Sequence, residues 1–215
     1  MKIKNNLTTV INTDDIHGLL DYTAKRYRPH DPGMYLYNRV TKYRANEKFT
    51  YDFIELVYTT LIAWNMNQRG AKLSEFNVFK DSLIEHRQLI QSLEKYRIEN
   101  LDSIDELKGA IELLFENLNL VAEGKPQLVT FSKTLHYFLP DLLMPIDRAY
   151  TLMFFYKNTN FDKNKQVQIY CDIFEQFRLF AKKHINYFDK YNNLWNINIP
   201  KMTDNIIIAY VRLIL

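Results

Sequence analysis

Apolar residues recur at helical spacing through most of the chain. In 51–70, Phe53, Val57, Leu61 and Trp64 fall on one face, Thr50 stands where it can cap the start, and Gly70 stands where a C-terminal stop belongs. In 75–96, Phe76, Phe79, Leu83, Ile90 and Leu93 share a broad face that largely avoids Lys80, Glu85, Arg87 and Glu94, so one amphipathic helix opened by Ser74 is predicted. Ser103 followed three residues on by Glu106 is a capping box ahead of Leu107, Ile111, Leu114 and Leu118, with Gly124 and Pro126 ending that segment. Ile169, Ile173, Phe177 and Phe180 set the phase of a helix over about 163–184.

At the ends, Thr13 precedes a segment with acids in its first turn and bases in its last, and Thr203 is the expected cap of a final, very apolar helix. Residues 28–49 hold two of the six prolines and read as a long connection with a short helix in its second half. The Asn-rich stretch 185–201 reads as irregular. These patterns predict an all-α, compact bundle of seven to eight helices in one domain spanning 1–215, with any division into two lobes falling near residue 125.

Composition narrows this further. A chain of 215 residues, 47% hydrophobic and 25% charged, can bury a substantial core, and five glycines leave too few turns for a β-sandwich. The net charge of +3 is too mild to require a nucleic-acid partner by itself, so clustering of charge decides. A single cysteine, Cys171, excludes an internal disulfide framework and a Cys-cluster zinc site and fits a buried, inert thiol in a reducing compartment. No apolar run reaches signal-peptide or membrane-span length, which makes the cytoplasm the expected location and a membrane partner unexpected. His17, His30, His86, His136 and His184 lack ligand spacing, and phosphate-loop, nucleophile-elbow and dinucleotide motifs are missing, so neither metal nor cofactor is expected.

One stretch carries chemistry, FSKTLHYFLPDLLMPIDRAY, residues 131–150. Leu128, Phe131, Leu135 and Phe138 form an apolar stripe, which places Ser132, Lys133, His136 and Tyr137 on the other side and Lys133 outside the core. Pro140 ends the helix, Pro145 sets the approach to the next, and Asp147 stands at its N-cap. A lysine early in one helix, a proline-containing apolar return and an aspartate opening the next helix resemble the core of the helix-hairpin-helix DNA glycosylase superfamily over some twenty residues.

That resemblance implies a glycosylase-like helical scaffold in which Lys133 takes the position of a catalytic lysine and Asp147 that of the conserved aspartate. Catalysis would need Lys133 as a free amine attacking a sugar carbon, with Asp147 orienting it or stabilising an oxocarbenium-like centre. The family's hairpin is rich in glycine, whereas QLVTFSK has none, so a scaffold without intact glycosylase activity is the expectation.

Two other groups bear on binding. Arg69, Gly70 and Lys72 could hold an anion together, or simply complement a helix C-terminus. Between residues 22 and 48, Lys25, Arg26, Arg28, Arg39, Lys42, Arg44 and Lys48 interleave with five tyrosines, a composition suited to a nucleic-acid backbone and stacked bases, and equally to the wet edge of a helical core. Lys201, Thr203, Asp204 and Asn205 at the start of the last helix are read mainly as capping. The expected function is therefore DNA or RNA binding through Arg69, Lys72, Lys133, His136 and Arg148, organised by Asp147. The alternatives are a protein-interaction module and, more narrowly, a lysine-dependent DNA glycosylase or lyase.

Overall fold

The computed structural model describes residues 2–26, 32–43, 48–67, 72–188, 191 and 195–214. It is all-helical. Among the described residues the only extended pairing is an isolated antiparallel bridge between Leu73 and Val121. Among the described residues eleven α-helical segments follow one another: α1 (Leu7–Val10), α2 (Asp15–Arg26), α3 (Pro32–Tyr43), α4 (Tyr51–Ala63), α5 (Phe76–Glu85), α6 (Arg87–Ser92), α7 (Asp105–Asn117), α8 (Leu128–Phe138), α9 (Met153–Tyr156), α10 (Gln166–Phe188) and α11 (Ile199–Ile214). A π-helical turn, Arg148–Leu152, leads into α9. No helix among the described residues is long and apolar enough to cross a membrane.

Several starts follow from the capping chemistry read in the sequence. Thr50 Oγ1 accepts from the Phe53 amide at 3.3 Å. Glu106 reaches back to the Ser103 amide as in a capping box, while Ser103 Oγ accepts from the Asp105 amide, one residue short of the Glu106 amide that a full box would use.

Other expectations are corrected. The connection over 28–49 contains a twelve-residue helix, α3, that begins at Pro32; proline fits a first helical position because the amide it lacks would have no partner there. The helix expected over 75–96 is broken at His86, whose ring Nδ1 lies 2.8 Å from the Ser82 carbonyl oxygen and competes with the helical ladder. The last helix starts four residues before Thr203. Asn198 Oδ1 accepts from the Lys201 amide at 2.9 Å, while Thr203 is interior and bonds back to the Ile199 carbonyl. Helix α4 ends at Ala63 with Asn65 in the left-handed region (φ 61°), and Gly70, the expected stop, lies outside the described residues.

Helix α11 lies at the centre, packed against α2, α10 and the π-turn. Helix α8 packs on α4 and α10 and is enclosed on every side, with Leu128 and all of Thr130–Phe138 buried. One hydrophobic cluster runs from Leu7 to Ala209 and draws on residues from both sides of position 125. Burying α8 all round overturns the amphipathic reading: Ser132, Lys133, His136 and Tyr137 do not face solvent but contact other parts of the chain.

Candidate functional site

The site is assembled around α8. Its start is tied to α10, where Gln166 Oε1 accepts from the Gln127 and Leu128 amides, both at 3.0 Å. Two polar side chains then lace the returning segment onto the helix. Ser132 Oγ accepts from the Ile146 amide at 3.0 Å, and His136 Nδ1 lies 2.7 Å from the Leu143 carbonyl oxygen. A ring nitrogen facing a carbonyl must carry the proton, and His136 Nε2 lies 2.9 Å from the Tyr37 hydroxyl, so the ring is hydrogen-bonded on both sides. Lys133 lies in sequence between these two ties, opposite the end of the returning segment, where Asp147 sits.

Asp147 divides its carboxylate between two tasks. Oδ1 accepts from the Ala149 and Tyr150 amides, capping the π-turn, while Oδ2 lies 3.4 Å from Lys133 Nζ. The Lys133 ammonium also stands over the Trp64 ring, 5.1 Å from its centroid. Behind Asp147, its backbone amide donates to Thr151 Oγ1 at 3.0 Å, and that hydroxyl reaches Asp204 Oδ1 at 3.5 Å.

Asp204 belongs to a second ion pair. Its Oδ2 lies 2.6 Å from Lys201 Nζ, and both side chains are only 5% exposed. The Lys201 ammonium is held over two further rings, Trp195 at 4.4 Å and Tyr37 at 5.7 Å. Burial pushes the Asp204 carboxyl above its ordinary range and Asp147 adds to this, against the opposing pull of Lys201 and Lys133. Both pairs, both tryptophans of the chain, Tyr37 and Tyr150 line one cavity of about 460 Å³, a size ordinary for small-molecule sites.

The structure thus brings Lys133 and Asp147 together and keeps other candidates apart. His136 is 2% exposed and hydrogen-bonded on both sides, which makes it a clamp within the fold rather than a surface contact. Arg148 is exposed, pairs with Asn160 Oδ1 at 2.5 Å and lines a separate cleft. Lys72 is exposed and lines a broad groove of about 1010 Å³ in which Lys125 and Lys163 are balanced by Glu75, Glu116 and Glu123. Arg69 lies outside the described residues, as do Arg28 and Arg44 of the basic, tyrosine-rich stretch. From that stretch, Tyr37 reaches the cavity, and it does so as a buried ring.

Lys201 and Asp204, which the sequence pattern assigns mainly to capping, form the more buried half of the site. A signal for this exists in the sequence: Lys201 and Asp204 lie three residues apart, flanking Met202 and running straight into the apolar stretch Ile206–Ala209, which leaves them little solvent face to occupy. Cys171 is buried, and burial raises its thiol to about 11, as expected of an inert side chain. Among the described residues no group of three or more His, Cys, Asp or Glu side chains is placed to hold a metal ion. Comparison with known proteins finds no matching family model, no similar curated protein and no similar solved structure.

Proposed function

We propose that the protein binds nucleic acid and takes one nucleotide into the cavity between α8 and α11, on a scaffold resembling that of the helix-hairpin-helix DNA glycosylases. The observation that supports this most is the Lys133–Asp147 pair opening into a cavity walled by Trp64, Trp195 and Tyr37. Aromatic faces and ammonium groups together are what a base and its sugar-phosphate demand, since every base has a face to stack and every phosphate a charge to meet. The reading is one of binding, because Asp147 uses one oxygen for the cap and the other for Lys133, a geometry that organises recognition.

Fluorescence anisotropy with single- and double-stranded oligonucleotides, at about 50 and 200 mM salt, tests it. Affinity should fall steeply with salt, and the slope should shrink in Lys133→Ala and Arg69→Ala. No binding at the lower salt, or binding indifferent to salt, removes the proposal. Borohydride treatment on abasic DNA should trap no adduct; a covalent product lost in Lys133→Ala would replace binding with lyase chemistry.

A further inference from the structure

A nucleotide offers a base, a sugar and a phosphate, and the hydrogen-bonding state of the two lysines distinguishes among them. An ammonium carries three N–H donors. The Lys133 and Lys201 side chains are 10% and 5% exposed, and among the described residues each ammonium has one oxygen acceptor, Asp147 Oδ2 and Asp204 Oδ2 respectively. Their other close neighbours are ring faces: Trp64 for Lys133, Trp195 and Tyr37 for Lys201. Rings attract a cation but do not replace oxygen acceptors. Buried donors in native proteins are normally paired, so two ammonium groups with donors to spare on one cavity call for a shared partner rich in acceptors.

We propose that the inner end of this cavity is an oxyanion subsite for the phosphoryl group of a nucleoside monophosphate, with Lys133 and Lys201 donating to its oxygens. A phosphoryl group presents three terminal oxygens and can serve both lysines at once, which the single oxygen of a base carbonyl cannot. The four charged side chains of the cavity sum to zero, so an entering anion needs a compensating change. Asp204 supplies it: its side chain is 5% exposed, already pushed toward the neutral form by burial, and on taking up a proton it leaves Lys201 free to face the ligand. The base then lies against the half-buried rings of Trp64 and Tyr150. Tyr150 is held by Arg212, whose Nε donates to its hydroxyl at 2.9 Å and whose guanidinium lies over the ring, 4.8 Å from its centroid, so the base meets the ring's other face.

The same chemistry is offered by a free nucleotide and by the phosphorylated end of a strand, and only the second rests on the nucleic-acid reading. Both tryptophans line the cavity, so the intrinsic fluorescence of the intact chain reports on it directly. Adenosine and thymidine monophosphates are titrated against adenosine and thymidine, and 5′-phosphorylated against 5′-hydroxyl oligothymidine. The nucleotides should bind at least tenfold tighter than the nucleosides. Lys133→Gln should reduce that advantage at least tenfold, as should the double variant Lys201→Gln with Asp204→Asn, which replaces the buried ion pair by neutral amides and leaves no charge stranded.

Preference for the 5′-phosphorylated strand assigns the subsite to strand ends. Tight binding of nucleotides with no oligonucleotide binding keeps the subsite and removes the nucleic-acid reading. Equal affinity for nucleotides and nucleosides, or a nucleotide advantage unchanged in both variants, overturns the subsite even where oligonucleotides bind.

Discussion

The two lysine–aspartate pairs reach one cavity by different constructions. Lys201–Asp204 is an i, i+3 pair within α11, 2.6 Å long and buried at both ends. Lys133–Asp147 joins residues fourteen apart, across α8 and the segment that returns to it, at 3.4 Å and with the aspartate one-third exposed. The first pair is set by helix geometry and exists wherever α11 is formed and covered. The second exists only when α8, its return and the π-turn have closed on one another, so it reports tertiary structure.

The largest difference should appear on removing a single lysine. Lys201→Ala strands a carboxylate whose side chain is only 5% exposed, and breaking a buried pair in this way costs about 3–5 kcal/mol. Urea denaturation should show a correspondingly lower midpoint. The double change Lys201→Met with Asp204→Leu should recover most of it, because the loss lies in the unpaired charge rather than in the bond. Full stability of Lys201→Ala would mean that the pair is not buried in solution.

Titration sharpens the same contrast. An unfolded aspartate titrates near about 3.9, and burial holds Asp204 above that in the folded chain. As pH rises through that window the unfolded state gives up its proton first, so the Asp204 contribution to stability falls. Asp204→Asn lacks this dependence. Its stability relative to wild type should therefore climb as pH is raised from about 3 through the folded value, and a flat difference would place Asp204 in a wetter site.

The next effect concerns the link between the pairs. Thr151 Oγ1 accepts from the Asp147 amide and reaches Asp204, and Thr151 itself is fully buried. Thr151→Val keeps the shape and removes both bonds, leaving an amide without its partner at a cost of about 1–3 kcal/mol. A double-mutant cycle between Lys133→Gln and Lys201→Gln should then show less coupling when built on Thr151→Val than when built on the wild type.

The Lys133–Asp147 half is legible in the sequence because its signals are local: a helix stop at Pro140, a cap at Asp147 and a short return between them. The capping box at Ser103 and the cap at Thr50 are legible for the same reason. Three departures from the sequence pattern have physical causes. Proline reads as a break at Pro32 and Pro200, although in a first turn it begins a helix, and this hides α3 and the true start of α11. A stripe of four apolar residues on α8 implies a polar face opposite and so puts Lys133 in solvent, an inference that fails for a helix enclosed on all sides. Lys201 and Asp204 read as belonging to a helix end, but Asn198 already supplies the cap, and only the tertiary position of α11 shows what surrounds them.

The smallest effect, and the most discriminating, belongs to Asp147. Asparagine caps a helix about as well as aspartate, so Asp147→Asn retains the bonds to Ala149 and Tyr150 and removes only the charge. Lys133 keeps Asp204 within electrostatic reach, and the loss in stability should be about 1 kcal/mol or less, the range of partly exposed pairs. Asp147→Ala removes the cap as well and should cost roughly 1 kcal/mol more. If the two variants prove equally stable, the cap contributes nothing and Asp147 acts through Lys133 alone. If Asp147→Asn is as damaging as Lys201→Ala, the two pairs are equally buried in solution, and the distinction between a buried inner pair and a partly exposed outer one is lost.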